Sequence, residues 1–156
     1  MNALPKNLSE LLENGVFEPS LKAATKEGIL AEITDALISN GKISESEREK
    51  VYRALVDREA KMSTGMQYGV AIPHARTDAV EELVTIVALA PRGVIFGSLD
   101  GALSTIFVGT LSPLDDANSH IRFLAEVSRR LSNRKIREEL LGVKNKEELI
   151  ATICGE

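Results

Sequence analysis

The stretch Leu83-Val84-Thr85-Ile86-Val87-Ala88-Leu89-Ala90 constrains the fold more than any other. It is an almost unbroken apolar run. It is far too short to cross a bilayer, which takes about 20 residues in a helix. A run of this length reads as a buried-type strand, one that the rest of the chain must cover. Its neighbours carry strand and turn signals of their own. Upstream, Val70-Ala71-Ile72-Pro73-His74 reads as a short apolar strand that Pro73 cuts off and His74 ends. Downstream, Pro91-Arg92-Gly93 reads as a turn after which Val94 to Phe96 pairs back. Asp100-Gly101 is a strong hairpin signal, and Ser104 to Leu111 is another strand.

Helical patterns lie on either side of this central block. Leu8 to Leu12 reads as a short helix. Thr25 is placed to cap a second, in which Ile29, Ile33 and Leu37 recur at i, i+4 and i+8 and which Gly41 closes. Ser44 with Glu47 is a capping-box pattern that opens a helix through Val51, Leu55 and Val56, ending near Arg58 and Glu59. A polar loop over 112–118 leads to a helix capped by Asn118 or Ser119, with Ile121, Leu124, Val127 and Leu131 on one face. Lys135 to Leu141, closed by Gly142, and a last helix opened by Asn145-x-x-Glu148 and running through Ile153 complete the chain.

Helices, then strands joined by hairpin signals, then helices imply an α/β, α+β-like fold. The expected architecture is a mixed parallel and antiparallel sheet of about five strands flanked by helices. No internal repeat, linker or low-complexity tract divides the chain, so residues 1–156 read as a single domain. With 156 residues, 44% of them hydrophobic, such a domain buries roughly 70% of its unfolded surface and needs no staples. Aromatic residues make up only 4% and there is no Trp, so Leu, Ile, Val and Ala must fill the core.

A net charge of −4 argues against a nucleic-acid partner, which a basic face would serve. The N-terminal MNALPKNLSELLENG lacks the apolar stretch of a signal peptide, and the single Cys154 can form no internal disulfide. Together these point to the cytoplasm. Two histidines without cysteines or carboxylates at ligand spacing give no basis for a metal site.

Those two histidines, His74 and His120, are the chain's candidates for chemistry. His74 stands at a strand end beside a glycine-bearing loop. His120 stands in the first turn of a helix, where free N–H groups and a partial positive charge favour an anion. Imidazole is a competent nucleophile near neutral pH. A phosphoryl group placed on it needs cationic or N–H partners, and Arg58 and Arg76 are the nearest cations in sequence. Each residue also has a plainer reading: a surface histidine, a solvated helix end for Arg58 and Glu59, turn residues for Ser63 and Thr64.

The order of several motifs bears on the choice. Arg58-Glu59, Ser63-Thr64-Gly65 and Gly69-Val70-Ala71-Ile72-Pro73-His74-Ala75-Arg76-Thr77-Asp78 are followed by Pro91-x-Gly93-Val94-x-Phe96 and Leu99-Asp100-Gly101. His120-Ile121-x-x-Leu124-Ala125 and Ser128-x-x-Leu131 come next. In order and spacing the set resembles enzyme IIA of the fructose/mannitol class of the bacterial phosphotransferase system, across nearly the whole chain. The resemblance implies that His74 accepts phosphate from the phosphohistidine of the small phosphocarrier protein, on Nε2, and passes it to an enzyme IIB. It implies that His120 hydrogen-bonds to the phosphoryl group without being modified, that Arg58 neutralises its charge, and that Thr64, with Ser63, lines the phosphate pocket. It implies no cofactor or metal, and contact with a membrane permease at most from its periphery. The chain departs from the family at Gly65-Met66-Gln67-Tyr68-Gly69, where Gly-Ile-Gly-Asn-Gly is common. Three functions follow: a carrier for fructose-like sugar uptake, a nitrogen-regulatory relative that controls other proteins through its phosphorylation state, and a binding module without phosphoryl chemistry.

Overall fold

A computed structural model describes residues 7–116 and 118–155. The N-terminal expectation for residues 1–6 lies outside them. Within them the chain forms six helices and one five-stranded sheet. The strands are β1 (Val16–Glu18), β2 (Val70–Ala71), β3 (His74–Arg76), β4 (Val84–Val94) and β5 (Ser104–Ser112). The helices are α1 (Leu8–Asn14), α2 (Lys26–Ser39), α3 (Arg48–Lys61), α4 (Asn118–Leu131), α5 (Arg134–Leu140) and α6 (Lys146–Cys154).

β4 and β5 form the antiparallel centre, with Ile86 opposite Gly109 and Ala88 opposite Phe107. β1 adds to the free side of β4 in parallel. β2 and β3 both add to β5 in parallel, as two halves of one edge. The mixed sheet is therefore as expected. Side chains alternate along a strand, so β4 sends Ile86, Ala88 and Ala90 to one face and Val87 and Leu89 to the other. The first face packs on Ile29, Ile33 and Leu37 of α2 and on Val51 and Leu55 of α3. The second packs on Leu12 of α1, Phe123, Val127 and Leu131 of α4, and Leu149 and Ile153 of α6. Covering on both faces explains why the central strands lack polar alternation.

Three caps behave as their sequences require. The side chains of Thr25 and Asn145 accept from the N–H groups of Gly28 and Glu148, which opens α2 and α6. Asn133 does the same for α5.

Several expectations are corrected. Ser44 makes no side-chain cap; a single 3-10 turn over Glu45–Glu47 leads into α3, which runs on to Lys61. Pro73 divides an edge rather than ending one, so His74 begins β3 instead of finishing a strand. Pro91-Arg92-Gly93 does not reverse the chain. β4 passes through it to pair Val94 with Ser104, and the register shifts between Leu89 and Val94. A bulge there leaves no ladder bond for the missing proline N–H to break. Gly93 takes φ +76, with Leu103 packed where a side chain would stand. On α4, Ile121 is exposed and Phe123 is buried in its place.

Candidate active site

Four elements converge at the carboxyl end of β5. The last turn of α3 brings Arg58, the first residue of β3 is His74, β5 supplies Thr110, and the first turn of α4 brings His120. The register explains the meeting. His74 is the pairing partner of Thr110 across the parallel β3–β5 edge. The Thr110 hydroxyl in turn shares a 2.7 Å hydrogen bond with His120 Nδ1. The two imidazoles lie 4.5 Å apart between centroids, tilted by 44°.

The proton on His74 follows from its neighbours. Nδ1 is 2.8 Å from the carbonyl of Ile72. A carbonyl only accepts, so Nδ1 carries the hydrogen and Nε2 keeps its lone pair. Arg58 Nε–H points at that lone pair from 3.2 Å, and Arg58 Nη1 donates to the carbonyl of Met62 at 2.8 Å. The second bond satisfies a carbonyl just past the end of α3 and anchors the guanidinium beside the ring.

Both rings are half-buried, and burial disfavours the charged form of each. Burial is the main cause of the lowered pKa of His74; the Ile72 carbonyl opposes it, and the Arg58 charge adds to it. His120 is pushed down to about 4, first by burial and then by its proximity to His74, Arg58 and Arg76. The chemistry available is that of a neutral imidazole nucleophile with a fixed tautomer, next to a second neutral imidazole and a guanidinium. Such a set suits an electrophile that arrives with negative charge.

The remaining predicted residues are placed as follows. Arg76 is two residues along β3 on the same side of the strand as His74, and exposed. Ser63 and Thr64 lie next to the site, but their hydroxyls are committed elsewhere: Ser63 donates to the carbonyl of Phe96 at 2.6 Å, and Thr64 donates to Glu59 at 2.5 Å. Glu59 is no solvated helix end. It is buried, and it pairs with Lys26. The start of α4 is also less open than expected, because Asp116 accepts from the N–H and the hydroxyl of Ser119. Sequence reasoning missed Thr110 and Lys26. Thr110 carried a signal, as a hydroxyl inside an apolar strand.

Comparison with known proteins gives a consistent result. Residues 10–155 match the family model described as phosphoenolpyruvate-dependent sugar phosphotransferase system, EIIA 2. A fructose-specific EIIA component from Haloferax volcanii is 32% identical over 124 residues, 80% of this chain and 79% of that protein. The crystal structure of nitrogen regulatory protein IIA-Ntr from Neisseria meningitidis superposes with a TM-score of 0.80 at 26% identity, over 94% of this chain and 98% of that one. The Escherichia coli complex of the mannitol enzyme IIA with phosphorylated enzyme IIB shares the fold, with a TM-score of 0.73 at 23% identity, over 92% of this chain and 96% of that one.

Proposed function

Because the chain belongs to the EIIA 2 family of the phosphoenolpyruvate-dependent sugar phosphotransferase system, whose members pass phosphoryl groups between proteins, we propose that His74 is its phosphoryl-carrying residue. The observation that supports this is the ring itself: Nδ1–H fixed on the Ile72 carbonyl and Nε2 left with a lone pair beside Arg58 and His120.

The donor is the phosphohistidine of the phosphocarrier protein. The Nε2 lone pair of His74 attacks its phosphorus in line. The donor N–P bond breaks and its electron pair returns to the donor imidazole. Arg58 moves its Nε–H from the ring nitrogen to a phosphoryl oxygen, a short displacement because Nη1 is already anchored on Met62. His120, neutral and held at Nδ1 by Thr110, turns Nε2 toward the same group. Little covalent chemistry is asked of the protein beyond the nucleophile; the rest is positioning and positive charge. The acceptor is an enzyme IIB, as in the mannitol complex, whose nucleophile takes the phosphorus and returns the bonding pair to Nε2. We read the chain as one IIA domain over residues 1–156, working in the cytoplasm and meeting a permease only at its periphery. No described helix is long and apolar enough to cross a membrane.

Fructose-like sugar uptake is the role favoured by the Haloferax relative. Phosphorylation-dependent control of other proteins is favoured by the likeness to IIA-Ntr along almost the full length of both chains. Mixing the phosphorylated protein with purified fructose-type IIB decides between them. Rapid transfer supports the transport role; fully phosphorylated His74 with no transfer supports the regulatory one.

A further inference from the structure

Among the described residues Glu59 is the one acidic residue in the core, with its side chain 3% exposed. A buried carboxylate is no gain in stability over a well-packed apolar residue, since its desolvation offsets its pairing. Its placement therefore calls for another explanation, and its contacts supply one. Oε2 accepts from Lys26 Nζ at 3.1 Å and from the Thr64 N–H at 2.9 Å, while Oε1 accepts from the Thr64 hydroxyl at 2.5 Å. Lys26, in the first turn of α2, also lies over the Phe96 ring at 4.9 Å. Helix α2, the end of α3 and the loop after α3 are thus tied at one carboxylate.

The tie continues to the site through the backbone. The carbonyl of Thr64 accepts from the N–H of Ile72 at 3.0 Å. The carbonyl of the same Ile72 accepts from His74 Nδ1–H at 2.8 Å. Glu59 is also the neighbour of Arg58, whose guanidinium meets the other nitrogen of the same ring. The Nδ1 end of the His74 imidazole is thereby tied to one buried carboxylate.

We propose that Glu59, anchored by Lys26, is a positioning residue for phosphoryl transfer: through Thr64 and Ile72 it fixes the carbonyl that holds the Nδ1 proton of His74 and keeps Nε2 as the nucleophilic nitrogen. This rests on His74 being the phosphorylated residue. Chains of hydrogen bonds of this kind orient histidines at metal centres, where losing the outer partner typically costs 10- to 100-fold. A carboxamide at position 59 keeps the size of the side chain but loses the charge and one acceptor oxygen.

The test compares wild type with Glu59→Gln by nitrogen-15 NMR of the histidine rings and by the initial rate of phosphorylation from phosphoenolpyruvate, enzyme I and phosphocarrier protein. The expected result is a single Nδ1–H tautomer of His74 in wild type. The variant should show a raised share of the Nε2–H tautomer and a rate lower by at least about tenfold. A folded variant with the wild-type tautomer and rate overturns the proposal. If Glu59→Gln does not fold, Thr64→Val takes its place. It removes one of the two bonds to Thr64 and should shift the ring in the same direction; an unshifted ring there overturns the proposal equally. The tautomer is read without any phosphoryl transfer. A protein never phosphorylated on His74 would therefore refute the carrier reading, and the ring spectrum would still decide the role of Glu59.

Discussion

His120 makes the structure's sharpest statement about pH. Its pKa falls from the ordinary 6.5 to about 4 in the folded chain, chiefly because burial disfavours the imidazolium and then because of the nearby His74 and Arg58. An unfolded chain regains the ordinary value and binds a proton below pH 6.5 that the folded chain refuses until about pH 4. Stability contributed by this site is therefore fully present above pH 6.5. It is lost progressively as the pH falls toward 4. At 1.36 kcal/mol per pH unit, the full interval would correspond to about 3 kcal/mol. The ring is only half-buried, and screening by solvent reduces this to about 1–2 kcal/mol. The assay is urea unfolding of wild type and His120→Gln at pH 7 and pH 4.5. Carboxylates titrate in the same range, but they are common to both proteins and cancel in the difference. Wild type should lose about 1–2 kcal/mol more than the variant over this interval. Equal losses, or an NMR titration placing His120 near 6.5, would refute the reasoning.

Arg58→Ala should leave His74 modifiable yet slow its phosphorylation, by about 100-fold if the guanidinium acts as donors aimed at developing charge do; stopped-flow rates matching wild type would remove it from the mechanism. Phe107→Ala should destabilise the fold by about 3–5 kcal/mol in denaturant unfolding, because the ring is fully buried in the central strand and meets Phe96 edge-on at 5.2 Å. Asn145→Ala should cost about 1 kcal/mol by the same measurement, since its side chain accepts from the N–H of Glu148 at the start of α6.

Strong periodic signals were the legible part of the sequence. The apolar runs of β4 and β5, the i, i+4, i+8 stripe of α2 and the Thr25 and Asn145 caps all lie where their residues place them, because each rests on local geometry. What the sequence hid depends on distant partners. β1 is three residues long and exists because β4 offers it an edge. The Ser44-x-x-Glu47 pattern was a false cap, since a 3-10 turn took those residues. The Pro91 stretch looked like a reversal, but a bulge lets the strand absorb it. Ile121 and Phe123 exchange roles because the face of α4 is set by the sheet beneath it. At the site, His74 and His120 stand out as the chain's two histidines and Arg58 as a nearby cation, the motif order gives them roles, and the fold brings them together. The commitments of Ser63 and Thr64 to backbone and to Glu59 were invisible, because nothing local marks Glu59 as buried. Thr110 reads in the sequence as one more strand residue, and only its register opposite His74 joins the two histidines.

The central claim is that His74 carries the phosphoryl group. Its most direct test is to incubate the protein with phosphoenolpyruvate, enzyme I and phosphocarrier protein, and to map the modification by mass spectrometry under alkaline conditions, with His74→Ala in parallel. The predicted result is a single acid-labile phosphate on the His74 peptide of the wild type and none on a His74→Ala protein that keeps its circular dichroism and melting transition. A wild-type protein that stays unmodified, or a phosphate found on His120 instead, would contradict it.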